Sequence, residues 1–588
     1  MIRSILFPML AGAALAADKP VVAVYDLERG LSESGMTEPS LMNMSLESQR
    51  PLTFYDVTRS LGLAVKDPNV KALVLDVDGA PLGLAQIGEI RRHLASAREA
   101  GKDVWLYSDY YTTKTALLGA ASNHFVLMPE AGVTFSGMAS QSLYFKGMLD
   151  KAGLQADVIH IGDFKSFGEE FYRTGPSEFA LEQREELIGG MFDQIISAVA
   201  QGRSVESSKV MELVDRGEFT AEEAKEAGLV DDLQYRTDFN ASLRERYEGA
   251  KFDREYEMPD LDGPEMDSLF DVFKLMMDSG KDSKAKEDYV AVVVLDGGIS
   301  DASVAPVRKE IVKLLKDEHA KGLVLRVNSP GGSALASEVL WEVTDEWKDR
   351  GRAFSVSMGG VAASGGYYVS AGADRIFAES GTITGSIGVV GMKMVMGGAM
   401  DKLGITTHTI QRGKHADAMS FTKPFTEEEK KLVRDSMVDV YGTFKKRITD
   451  GRGDRLKGDL EGMAGGRVYT GARALELGLV DELGGLSDAI AWTAEKAGVG
   501  TDAVKLRPEP KSPLDGLFSK PEKKPEGEIV GMAQGSPAGD AVRTMIRQMG
   551  TAALPEQVRG SVDRMLQRLD AIHESRIQLI GPDLDLRW

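Results

Sequence analysis

The chain has 588 residues, of which 43% are hydrophobic and 27% charged, so it is long enough for two or more domains and too apolar for a disordered chain. A net charge of -20 argues against nucleic acid, and no segment supplies the clustered Lys and Arg that phosphate binding requires, so no nucleic-acid partner is expected and electrostatic docking on anionic lipid is disfavoured. Without cysteine there is no disulfide, no thiolate metal site and no cysteine nucleophile.

The opening segment, MIRSILFPMLAGAALAADKP, carries Arg3, an apolar run from Ile5 to Ala16, and small residues Ala14 and Ala16 around Leu15. That is the order of an export signal. The run is shorter than the roughly 20 residues of a spanning helix, and Pro8 interrupts it. Residues 1–16 are therefore expected to be a cleaved signal peptide, with a short N-terminal anchor as the alternative. The protein is expected to be exported.

From residue 17 a first strand, PVVAVYDL, leads into a unit that occurs twice. KALVLDVDGAPLGLAQIGEI from Lys71 matches KGLVLRVNSPGGSALASEVL from Lys321 at an offset of 250. The same offset pairs FSGM at Phe135 with GSIG at Gly385, and LDKAGLQADVIHIG from Leu149 pairs with MDKLGITTHTIQRG from Met400 one residue later. EFTAEEAKEAGLVDDL and VYTGARALELGLVDEL close the two copies of roughly 200 residues. VAVVVLDGGI and KGLVLRVNSP read as buried strands and SALASEVLWEVTDEW as an amphipathic helix. Alternating strands and helices imply an α/β fold of parallel βαβ units in each copy. Gly228 and Gly478 follow Ala-rich helices, as C-cap glycines leading into strands. The expected divisions are 17–256 and 289–500 for the copies, a charged connector at 257–288, a Pro- and Lys-rich linker at 501–530, and a tail at 531–588. In the tail, GDAVRTMIRQMG and SVDRMLQRLDAI read as amphipathic helices suited to packing or oligomer contact.

The copies differ where chemistry could sit. The second has Asn328-Ser329-Pro330-Gly331-Gly332 where the first has Asp78-Gly79-Ala80-Pro81-Leu82. Paired glycines let a backbone approach a ligand and present N–H donors suited to an oxyanion, although PGG alone also reads as a turn. Ser364 lies in VAASGGYY, a glycine cradle that could expose its hydroxyl or simply let helices pack closely; Lys114 stands opposite it in the first copy. Ser386, 22 residues further on, has Ser136 as its counterpart and reads most simply as structural. Lys165, in IGDFKSFGEEF, lies between Phe164 and Phe167. Ala416 stands opposite it in the second copy, and Lys414 becomes the equivalent if the loop shifts. Desolvation between aromatics would lower the amine's pKa towards that of a general base, whereas an ordinary surface lysine would have no such role. A serine hydroxyl needs a base, and neutral lysine can serve without histidine. No HExxH motif, carboxylate cluster or Walker loop is present, so no metal or nucleotide cofactor is expected.

The order of IGDFKSFGEEF, NSPGG, SMGGVAASGGYY and TGSIGVVG resembles the long, internally duplicated form of the bacterial signal peptide peptidase A family, over roughly residues 50 to 500. The resemblance implies a ClpP/crotonase-like fold in each copy, with a helical C-terminal tail outside them. It implies a serine peptidase acting on residual signal peptides and assembling as a homotetramer at the membrane surface. By the same resemblance Ser364 is the nucleophile, Lys165 the general base, Ser386 the group orienting the lysine, and Gly331 and Gly365 the oxyanion hole. A crotonase-like acyl-thioester enzyme and a non-catalytic scaffold are the competing readings of the same fold.

Overall fold

The computed structural model describes residues 19–28, 31–34, 52–259 and 287–508, and the backbone of 578–580 and 586–587. The export segment, most of the connector and linker, and both tail sequences read as helices lie outside the described residues. The described pieces of the tail, Gln578–Ile580 and Leu586–Arg587, are strands rather than helix.

Two sheets with one strand order make the frame. In the first copy the order is Gly217–Glu218, His124–Phe135, Asp103–Tyr111, Val70–Asp76, Val21–Asp26 and Lys251–Asp253. In the second it is Val468–Thr470, Ile383–Gly385, Ala353–Ala363, Ala320–Ser329, Tyr289–Asp296 and Val504–Arg507. The central pairs are parallel in both. Their β-branched runs are buried on both faces, as Val290, Val292, Leu323 and Leu325 illustrate, which is why the strands read as continuous apolar stretches. The edge strand Val504–Arg507 extends the second sheet past residue 500. Gly228 and Gly478 take φ of 76° and 74° after short Ala-rich helices, as helix-ending glycines do.

The two copies are joined by a sheet that belongs to neither. Gln155–Ile161 of the first copy pairs antiparallel with Val389–Val395 of the second along the whole length of both strands. A buried ion cluster adds a second joint. The Arg326 guanidinium, fully buried, donates to Glu33 at 3.0 and 3.2 Å, to Glu89 at 2.6 Å and to Ser357 Oγ at 2.9 Å. Nearby, Arg92 of the first copy donates to Glu379 of the second at 3.1 Å. Removing one partner from such a cluster leaves a buried charge uncompensated, so these contacts fix how the copies meet. Among the described residues no helix is long and apolar enough to cross a membrane.

Candidate active site

The composite sheet decides where Lys165 goes. Gln155–Ile161 ends in Gly162, whose φ of 106° turns the chain back. The following loop docks on the second copy, Phe164 N–H donating to the Gly465 carbonyl at 2.9 Å. Gly466 is the floor of that seat: a Cβ on it would lie 2.4 Å from Lys165 N and 2.6 Å from its Cα, and its own φ is +89°. No other residue type fits there without displacing the lysine. Phe164 and Phe167 are both buried beside it, as the desolvation argument required.

Ser364 arrives from the other side. The strand Ala353–Ala363 ends and a short helix, Gly365–Ser370, begins, with Ser364 at the turn at φ 54° and ψ -111°. Such a backbone costs of the order of 1–3 kcal/mol and persists only where its surroundings hold it. They do: Ser364 N–H donates to the Gly385 carbonyl at 2.8 Å, and Tyr368 N–H donates to the Ser364 carbonyl at 2.8 Å. Ser386 is also at positive φ, 53°, its N–H bonded to the Arg467 carbonyl. Gly366 must be glycine, since a Cβ would meet the Ser329 carbonyl oxygen at 2.6 Å.

These segments bring one amine to one hydroxyl. Lys165 Nζ lies 2.7 Å from Ser364 Oγ, 2.9 Å from the Ser386 carbonyl oxygen and 3.0 Å from Ser386 Oγ. Ser364 and Ser386 are fully buried and Lys165 is 2% exposed. Among the described residues no carboxylate faces the amine, and burial holds its pKa well below the ordinary 10.5. A neutral amine fits the contacts: two N–H groups point to Ser386, and the lone pair can take the Ser364 hydroxyl proton.

The glycines have separate positions. Gly365 begins the short helix, and a Cβ on it would lie 3.2 Å from both Gly331 Cα and Gly332 N, so the loop and the helix start are in contact. The Gly331 N–H donates to Ser329 Oγ at 3.1 Å. Lys414, the other candidate lysine, is exposed and ion-paired with Glu428, away from the serines. Sequence reasoning missed the Gly465-Gly466 pair, the Ser386 carbonyl and the Ser329 hydroxyl. Only the glycine pair left a signal, two adjacent glycines in MAGGRVYT with no turn role assigned.

The model of peptidase family S49 matches the chain twice, over residues 96–249 and 346–500. This chain belongs to peptidase family S49. Its relatives include the chloroplastic serine protease SPPA of Arabidopsis thaliana, 30% identical over 448 residues, covering 74% of this chain and 64% of the relative. Protease 4 of Haemophilus influenzae is 29% identical over 461 residues, covering 75% of this chain and 72% of that one. A putative signal peptide peptidase SppA of Enterococcus faecium is 37% identical over 181 residues, 31% of this chain and 52% of that one. The chain thus spans just under two thirds of the chloroplastic relative and somewhat more of the Haemophilus one. The two family matches begin 250 residues apart, at 96 and 346, which is the offset of the internal repeat.

Proposed function

We propose that this chain is a serine endopeptidase with a Ser–Lys dyad, residues 17–256 supplying the lysine and 289–500 the serine. The observation that carries this is the 2.7 Å approach of Lys165 Nζ to Ser364 Oγ in a site closed to water. Ser364 Oγ attacks the peptide carbonyl carbon as its proton passes to Lys165 Nζ. The C–N bond then breaks, and the lysine returns the proton to the departing amine. Water, deprotonated by Lys165 Nζ, then attacks the ester carbonyl carbon; the C–O bond breaks, the carboxylic acid product leaves, and the proton passes from the lysine to Ser364 Oγ. Ser386 orients the lysine. Gly331 and Gly365 supply N–H donors to the oxyanion, which takes the place of Ser329 Oγ on the first of them. The acyl-thioester reading has no use for a serine and a lysine in contact, and a scaffold needs neither.

The substrate class is peptide, and remnants of signal peptides are the reading that the relatives' names support. A homotetramer at the membrane surface, exported and periplasmic, completes the proposal. Residues 406–412, counterpart of the strand that joins the copies within the chain, are exposed, Ile410 being 79% accessible. A neighbouring subunit's first copy could meet them as this chain's copies meet each other.

Intact mass after treatment with a fluorophosphonate tests the dyad. One adduct is expected on the wild type and none on Ser364→Ala or Lys165→Met. An unlabelled wild type, or undiminished labelling of Lys165→Met, refutes the reading.

A further inference from the structure

A strand from the far end of the chain lies in the cleft between the copies. In order across that sheet stand Gly331–Ser333, Gln578–Ile580, Val389–Val395 and Gln155–Ile161. On one side the inserted strand runs antiparallel to the glycine loop, with Ile580 opposite Gly331, Leu579 opposite Gly332 and Gln578 opposite Ser333. On the other side Gln578 lies opposite Val390. The helix that Ser364 begins packs against it. The segment therefore touches the loop proposed to bind the oxyanion, the helix of the proposed nucleophile, and the strand whose partner leads to Lys165. Further on, Leu586 and Arg587 pair antiparallel with Ser140 and Ala139 of the first copy, a second backbone attachment.

Two strand edges facing each other across a reactive serine are the means by which a protein holds an extended peptide through its main chain. The occupant here is tethered: residues 509–577 connect it to the second copy, and their start, PEPKSPLDGLFSKPEKKPEG, is linker-like. Tethering presents a segment at an effective concentration of the order of millimolar, enough for a weak binder to hold its site for much of the time.

We infer that Gln578–Ile580 occupies the substrate cleft as a built-in competitor, and that substrates enter as extended strands running antiparallel to Gly331–Ser333 in its place. The inference deepens the peptidase reading and rests on it. Leu579 and Ile580 are apolar in sequence, so an extended peptide with apolar side chains is the substrate inferred for the cleft.

Two variants test it, a chain ending at Ile577 and the full chain with Leu579→Pro, which removes one backbone N–H from the strand. With a fluorogenic apolar peptide both should show KM lowered roughly three- to tenfold at unchanged kcat. In parallel, a labelled synthetic peptide of residues 578–588 should bind the truncated chain carrying Ser364→Ala more tightly than the full-length Ser364→Ala chain, by fluorescence anisotropy. Added in trans, the same peptide should inhibit the truncated enzyme competitively. Unchanged KM in both variants, with no peptide binding at millimolar concentration, overturns the inference. Because the anisotropy does not depend on turnover, chains that bind the peptide but hydrolyse nothing uphold the docking and sink the peptidase reading instead.

Discussion

The two copies share a strand order and differ in how each uses the loop after its second long strand. In the second copy Asn328 donates to Asp296 at 2.9 Å, and the glycines after it stay free of side chains beside Ser364. In the first copy Asp78 stands at the same place and accepts from Ser108 Oγ and, at 2.8 Å, from Asp109 N–H. Arg236 then bonds Asp78 at 3.1 Å and Asp109 at 3.0 Å. Lys114, standing where the second copy has Ser364, reaches the Ala80 carbonyl at 3.5 Å. The first copy thus carries an ion cluster where the second has Asn328 and its glycine loop. Ser136 is exposed whereas its counterpart Ser386 is fully buried against the lysine. Duplication kept the frame and, on the proposed reading, divided the labour: one copy would lend the base, the other the nucleophile and its cradle.

The comparison breaks most sharply at the dyad. Ser364→Ala and Lys165→Met should each lower kcat/KM by about 10⁴-fold or more, and the double variant should be no worse, because the pair acts as a unit. Wild-type activity should rise with pH through the depressed lysine pKa, since only the neutral amine accepts a proton. Stability follows the same sign. The folded chain binds this proton more weakly than the unfolded one, so stability rises with pH between the depressed value and 10.5. Lys165→Met, free of that cost, should melt no lower than wild type at neutral pH in a thermal scan.

Next in size is the joint between the copies. Arg326→Met strands Glu33 and Glu89 in the interior and should cost about 3–5 kcal/mol in chemical denaturation. Adding Glu33→Gln and Glu89→Gln should recover much of the loss. Gly466→Ala sharpens the comparison without touching a reacting group. The methyl collides with the lysine backbone, and kcat should fall about a hundredfold, with the circular dichroism spectrum unchanged. Lys114→Ala should change peptide hydrolysis by less than about twofold, since its hydrogen bond to the Ala80 carbonyl lies within the first copy and involves neither Ser364 nor Lys165. A large loss there would mean that the first copy's closed site still takes part.

Much of this was legible in the sequence, for local reasons. β-Branched runs and capping glycines announced strands and helix ends, and the offset of 250 announced two copies. Ser364 and Lys165 were singled out by what surrounds each of them in the chain. What could not be read was non-local. The pairing of Gln155–Ile161 with Val389–Val395 crosses the copies, whereas the repeat suggested a second lysine loop around 413–416. Gly466 lies some 300 positions from the lysine it seats, so nothing local to either marks the contact. Ser386 looked structural because Ser136 repeats it, yet only one of the two meets an amine. The tail's strand was hidden because three residues carry no periodicity.

That crossed pairing also sets when the molecule can act. Translation proceeds from the N-terminus, so the lysine loop emerges roughly 200 residues before the serine and 300 before the glycine seat. A half-made chain would hold the proposed base without its serine, and the strand Gln155–Ile161 would lack its partner Val389–Val395. On the proposed reading, a chain cut short before Gly466 lacks the seat of its lysine and should show no peptidase activity.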